Sequence, residues 1–249
     1  METTRRLNEI STLWSVVLQA NHDAAEAARL AQRHLLERYG GAVRRYLLGA
    51  LRDPDAAEEL FQEFALLLVH GDLRGADRQR GRFRDFVKGV LFHLIARHHR
   101  EQKRRPHALP PDHPEPAAEP EVLPDQEQDN AFRASWRAEL LARSWAALEA
   151  HEREAGQPFY TVLRYRVDHP DVHSGPMAEE LSARLGRELT AAGVRKTLER
   201  ARARFAELLL DEIVQTLGAP TREQLEEELI ELNLLEHCRA ALERRAEDG

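Results

Sequence analysis

Apolar residues recur along this chain every three or four positions, and the strict alternation of a half-buried strand is absent. The spacing therefore predicts helices almost throughout, in segments rich in Ala, Leu, Glu and Arg. One helix is predicted to open at Asp53, with Asp53 as N-cap and Pro54 at the first helical position, which satisfies free amides and presets the backbone. Along it Ala57, Leu60, Phe61, Phe64, Leu67 and Leu68 fall on one apolar face. A second helix, roughly 83–101, places Phe83, Phe86, Val87, Val90, Leu91, Leu94 and His98 inward and turns Phe92 to the other side, beside Lys88, His99 and Arg100.

Further along, 176–209 reads as helix, turn, helix. A short helix from Met177 to Leu185 is stopped by Gly186, and Thr190 caps a longer helix whose seam is Val194, Leu198, Ala201, Phe205 and Leu208. Arg195, Lys196, Arg200, Arg202 and Arg204 lie off that seam. The last thirty or so residues read as one amphipathic acidic helix burying Leu225, Leu229, Leu232 and Leu235, a cap or a mask over a basic surface.

Charge changes this picture, because it is segregated. The 249-residue chain has a net charge of -7. Residues 74–105 nevertheless hold eleven Lys/Arg and three Asp/Glu, and residues 184–204 hold seven and two. From residue 207 onward four basic residues face twelve acidic ones. A basic face collects phosphates whatever the total, since screening confines its field to roughly 8–10 Å at physiological salt. Residues 106–130 contain seven acids, seven prolines and no Lys or Arg, the composition of a flexible linker. The expected fold is all-α, two helical domains joined by that proline- and acid-rich linker: residues 1–105, linker 106–130, residues 131–215, and an acidic helical extension 216–249.

Two surfaces carry candidate chemistry. Asp55, Glu58, Glu59, Gln62 and Glu63 form an acidic stripe opposite the apolar face of the 54–69 helix. It is either a solvated face or a docking surface for a basic partner helix. The second is Phe92 among cations, following the loop of Arg78, Arg80, Arg82 and Arg84; its ring either stands exposed or packs under the N-terminal helices. An aromatic ring beside cations stacks on an unpaired base while its phosphate is held. The basic helix after Thr190 has the layout of a helix-turn-helix, whose second helix enters the major groove.

Other function classes lose support. The longest apolar run, Phe64–Val69, is far short of a membrane span, and the first residues lack a basic-then-apolar signal pattern. The single cysteine, Cys238, rules out an internal disulfide and a cysteine-rich zinc site and suits a reducing cytosol, so a cytoplasmic protein is expected. None of the twelve histidines falls into an H-E-x-x-H or comparable pattern, and no phosphate-binding glycine loop or nucleophile elbow is present. Neither an enzyme nor a metal or other cofactor is expected.

With these residues assembled, the chain resembles the extracytoplasmic-function group of bacterial RNA polymerase sigma factors, more narrowly the planctomycete- and myxobacteria-type members that begin with T-x-W-S-V-V-L, here Thr12 to Leu18. Residues 39–68, with their D-x-x-E-E-L-x-Q-E pattern, are similar to the first helices of sigma region two. Residues 81–105 resemble its promoter-melting, −10-reading part, and 182–213 resemble the region-four helix-turn-helix; the likeness covers roughly residues 10–215. The turn 186–194 is longer than the family's usual one by about two residues, which leaves the start of the recognition helix open.

This resemblance implies a protein that binds core RNA polymerase and directs promoter-specific initiation. It implies that Asp55, Glu58, Glu59, Gln62 and Glu63 dock on the polymerase clamp. Arg80, Arg82, Arg84, Lys88, Phe92, Arg97, Arg100, Lys103 and Arg104 would serve the −10 element, and Thr190, Arg195, Lys196, Arg200 and Arg202 the −35 element. Core RNA polymerase and promoter DNA are the implied partners, and a separate anti-sigma factor is left open.

Overall fold

The computed structural model describes residues 25–69, 82–104, 125–217 and 220–247. Nine helices make up the described residues, with no strand among them. In chain order they are α1 (Ala25–Leu51), α2 (Pro54–Val69), α3 (Phe83–Arg104), α4 (Asp125–Ala155), α5 (Phe159–Asp168), α6 (Ser174–Leu185), α7 (Ala191–Leu217), α8 (Arg222–Glu231) and α9 (Leu235–Glu247). The all-α reading stands.

The start of α2 follows the sequence expectation. The Asp53 carboxylate accepts from the backbone N–H of Asp55 at 3.0 Å and of Ala56 at 3.2 Å, and Pro54 is the first helical residue. The chain reaches this cap through Arg52, which takes a left-handed φ of 53° and lets α1 turn sharply into α2.

The chain divides into two compact units, and the division falls between Glu139 and Leu140, inside α4, rather than in the proline-rich stretch. The last six residues of the expected linker, 125–130, are helical. Proline density stops at Pro124, and from there Gln128 and Phe132 supply a buried face, so a helix becomes possible where composition alone suggested an extended chain. Residues 106–124 lie outside the described residues.

The first unit comprises α1, α2, α3, the N-terminal half of α4 and residues 215–220. Helices α1, α2 and α3 pack on one another. Ala57, Leu60, Phe61, Phe64 and Leu68 of α2 are buried as expected, with Leu67 half-buried. On α3 the buried residues are Phe83, Val87, Leu91, Leu94 and Ile95, while Phe86, Val90 and His98 are half-buried. An aromatic cluster completes the core. Tyr39 stacks on Trp136 with centroids 4.8 Å apart and rings 8° from parallel, and Phe132 meets Tyr46 edge-on at 5.4 Å. The Tyr39 and Thr216 hydroxyls share a 3.0 Å hydrogen bond, which fastens the end of α7 to this unit.

The second unit comprises the rest of α4, α5, α6, α7 to Val214, α8 and α9. Its core gathers Leu148, Phe159, Val162, Leu163, Met177, Leu181, Val194 and Leu198, with Trp145 and Phe205 packed against it. The C-terminal extension is two helices rather than one. Thr221 and Gln224 close a reciprocal capping box at the start of α8, and Asn233 with φ 54° ends it. Asn233 tolerates the left-handed region, so the periodicity breaks where a single helix was expected. Leu225, Leu229 and Leu232 are buried as expected and Leu235 is half-buried, with Cys238 and Leu242 of α9 also inside. Among the described residues no helix is long and apolar enough to cross a membrane.

Candidate nucleic-acid and partner interfaces

In the second unit, α6 and α7 are a short helix and a longer one joined by the turn 186–190. Gly186 at φ 62° is the left-handed C-cap of α6, a conformation that disfavours any side chain. Ser182 then holds the turn. Its hydroxyl donates to Ala178 O at 2.6 Å and accepts from Leu189 N–H at 2.9 Å, while its carbonyl accepts from Arg187 N–H at 3.3 Å. Thr190 caps α7 by accepting from Gly193 N–H at 3.0 Å, and α7 begins at Ala191, which settles the start of the second helix.

Val194, Leu198 and Ala201 face inward, with Phe205 and Leu208 half-buried, and Arg195, Lys196, Arg200 and Arg202 are exposed, as is Thr190. Arg204 is half-buried and ion-paired to Glu207 at 3.1 Å. Two more exposed cations, Arg184 at the end of α6 and Arg187 in the turn, were countable in the basic run but not singled out from it. Helices α8 and α9 leave this basic surface open. Arg244 pairs with Glu207 at 3.4 Å, and Arg245 reaches Asp211 and, at 3.1 Å, the Glu207 carbonyl. The extension is thus fixed to the acidic C-terminal half of α7, and its role as a mask over 191–202 is not what the packing provides.

In the first unit the acidic stripe is solvent-facing. Asp55, Glu58, Glu59 and Gln62 are exposed and Glu63 is half-buried. Glu58 pairs with Arg44 at 3.3 Å, and the Arg44 guanidinium lies 3.6 Å from the Phe61 ring centroid. That cation–π contact anchors one acid of the stripe.

The basic side of α3 differs from its expectation in several places. Arg84 is buried, 2% exposed, so it is unavailable to a phosphate; it is the second residue of α3 rather than part of the preceding loop, and it lies on the inward side with Phe83. Phe92 is half-buried with its ring against Tyr46 at a centroid distance of 6.0 Å, rather than standing free. Lys88 donates to Asp129 at 2.8 Å. Arg97 pairs with Glu63 of the acidic stripe and lies 3.6 Å from Glu101. The carboxylate hydrogen bond raises the Arg97 pKa further against the lowering by burial. Arg100, Lys103 and Arg104 remain exposed at the C-terminal end of the helix, and Arg82 is half-buried. Arg80 lies outside the described residues.

Sequence reasoning missed Asp129, which sat inside the acid- and proline-rich stretch. Its spacing of four from Arg133, with which it pairs, was the available helical signal. Among the described residues no group of three or more His, Cys, Asp or Glu side chains is placed to hold a metal ion. Comparison with known proteins finds no matching family model, no matching curated protein and no matching solved structure.

Proposed function

We propose that this chain is a sigma factor of the extracytoplasmic-function type, which binds core RNA polymerase through α2 and carries it to promoter DNA. The observation that carries the reading is the separation of opposite charge on two exposed helix faces. Asp55, Glu58, Glu59 and Gln62 face solvent on α2, and Arg195, Lys196, Arg200 and Arg202 face solvent on α7. The first suits a basic helix of a protein partner. The second, preceded by a short helix and a tight glycine turn, suits the major groove of a −35 element. Each surface alone neutralises few phosphates or ion-pairs weakly, and both become effective when one assembly holds them together at high local concentration.

On this reading the −10 contacts fall first to Arg100, Lys103 and Arg104. Lys88, Arg97 and Phe92 join once their internal partners release them, with base capture on an aromatic ring worth about 1–3 kcal/mol. The protein makes no bond itself; the polymerase does the chemistry. Run-off transcription with core RNA polymerase tests the proposal, the expected result being initiation at a defined start. Glu59→Lys should abolish co-purification with core enzyme while the helical content is kept.

A second reading is a stand-alone helix-turn-helix regulator that never meets polymerase. It is favoured by the internal pairing of Lys88 and Arg97 and the burial of Arg84, which leave α7 with the better exposed basic face. The same transcription assay separates the two, since a regulator gives specific DNA binding without initiation.

A further inference from the structure

Of the four acids of α7, three are held by arginines. Glu207 pairs with Arg204 and Arg244, Asp211 with Arg245, and Glu212 with Arg143 at 2.9 Å. The fourth, Glu199, is exposed, and among the described residues its carboxylate has no ion pair and no hydrogen bond. Arg195, Lys196 and Arg202 nevertheless stand at helical ion-pair spacing on either side of it.

Glu199 is also central on the exposed face. At 3.6 residues per turn, Ala192, Lys196 and Glu199 fall within about 60° of one another, on the side away from the buried Val194, Leu198 and Ala201. Arg195 and Arg202 lie along one edge of that face and Arg200 along the other. Glu199 stands roughly 12 Å along the axis from Ala191, at the helical rise of 1.5 Å per residue, so it stays within the leading turns that a recognition helix inserts into the major groove.

Arginines on both edges are placed for the phosphates that wall a groove. A carboxylate between them repels phosphate and weakens what its neighbours gain there. What it offers is acceptor oxygens without a donor. The donors in the major groove are the exocyclic amino groups of cytosine and adenine, and adenine sets its N7 acceptor beside the amino group, which a carboxylate avoids. We propose that Glu199 is a specificity-determining residue, which accepts a hydrogen bond from the N4 amino group of a cytosine in the duplex read by α7. The inference rests on α7 being a DNA-reading helix, as proposed above, and adds which base one of its residues demands. The same carboxylate acts against wrong sites, since thymine presents an acceptor, O4, where cytosine presents its donor.

The test selects duplexes from a randomised library with the full-length protein bound to core RNA polymerase, and in parallel with the protein alone. A site is then obtained whether α7 works within a holoenzyme or unaided. The unaltered protein should enrich a site containing one cytosine whose replacement by thymine weakens binding by at least about fivefold, the low end of what one mismatched base pair costs. Glu199→Ala should bind the cytosine and thymine duplexes alike and keep every other preference. Glu199→Gln, whose amide donates as well as accepts, should prefer adenine at that same position. Thermal melting should be the same for both variants and the unaltered protein, because position 199 is exposed.

Selected sites that agree at every position between the unaltered protein and Glu199→Ala overturn the assignment. A loss of preference spread evenly over the whole site overturns it as well, because that is an effect of bulk charge. If the unaltered protein enriches no duplex in either arm, the DNA-reading role of α7 is what fails, and the assignment goes with it.

Discussion

Asp129 accepts a 2.8 Å hydrogen bond from Lys88 Nζ and pairs with Arg133 one helical turn along, so the early part of α4 neutralises a cation of α3. Lys88 and Asp129 are 32% and 23% exposed, which makes this a partly desolvated contact rather than a loose surface pair. It ties together two segments that are separated in sequence by the whole proline-rich stretch.

The first expectation follows from that contact. Burial pushes the Asp129 carboxyl up, but the hydrogen bonds and charges of Lys88 and Arg133 outweigh it and hold the group below its ordinary 3.8. A depressed carboxyl contributes stability that is fully present above the unfolded value and is lost as pH falls through the folded one. Asp129→Asn should therefore cost about 1–2 kcal/mol at neutral pH, and the difference from the unaltered protein should shrink in denaturant titrations taken below about pH 4. A constant difference across that window would separate Asp129 from the acid transition.

On α7, the exposed cations should act on DNA rather than on the fold. Arg195→Ala, Lys196→Ala and Arg200→Ala are each expected to leave thermal stability within about 0.5 kcal/mol. A residue on phosphate should flatten the salt dependence of duplex binding by about 0.9, and a residue on a base edge should relax preference at one position of the site. Fluorescence anisotropy across a salt series distinguishes these.

Removal of residues 221–249 exposes the apolar surface under α8 and α9 and takes Arg244 from Glu207, which keeps Arg204, and Arg245 from Asp211. The truncated chain should melt at a lower temperature without binding duplex DNA more tightly. Tighter binding would revive the masking role.

Two glycines should respond with opposite sign. Gly89 sits within α3, and a methyl group added there would meet nothing within 4 Å, so Gly89→Ala should stabilise by about 0.5–1 kcal/mol. Gly186 also has open space, but its φ of 62° strains any side chain, so Gly186→Ala should destabilise by about 1 kcal/mol. Chemical denaturation measures both.

Cys238 is fully buried, and burial raises its thiol to about 11 against the opposing pull of Arg245. Because the thiolate is the reactive form, labelling by a maleimide at pH 7 should be slow in the folded protein and fast in denaturant. Rapid labelling under native conditions would mean that α9 opens readily.

Local signals in the chain were enough to define the individual helices. Asp53-Pro54 and Thr190 marked two starts, Gly186 marked a stop, and the three- to four-residue apolar spacing gave the inward faces of α2 and α7, since caps, turns and periodicity are properties of neighbouring residues. Composition, by contrast, carried the 106–130 segment too far, because it averages over the point at which prolines cease and Phe132 and Trp136 begin to offer a buried face. What only the tertiary structure decided was the company each charge keeps. A helical wheel shows that Lys88 and Arg97 lie off the core, and it has no means of showing that Asp129 and Glu63 stand opposite them. Those partners come from other helices 41 and 34 residues away, and their meeting depends on how the helices pack.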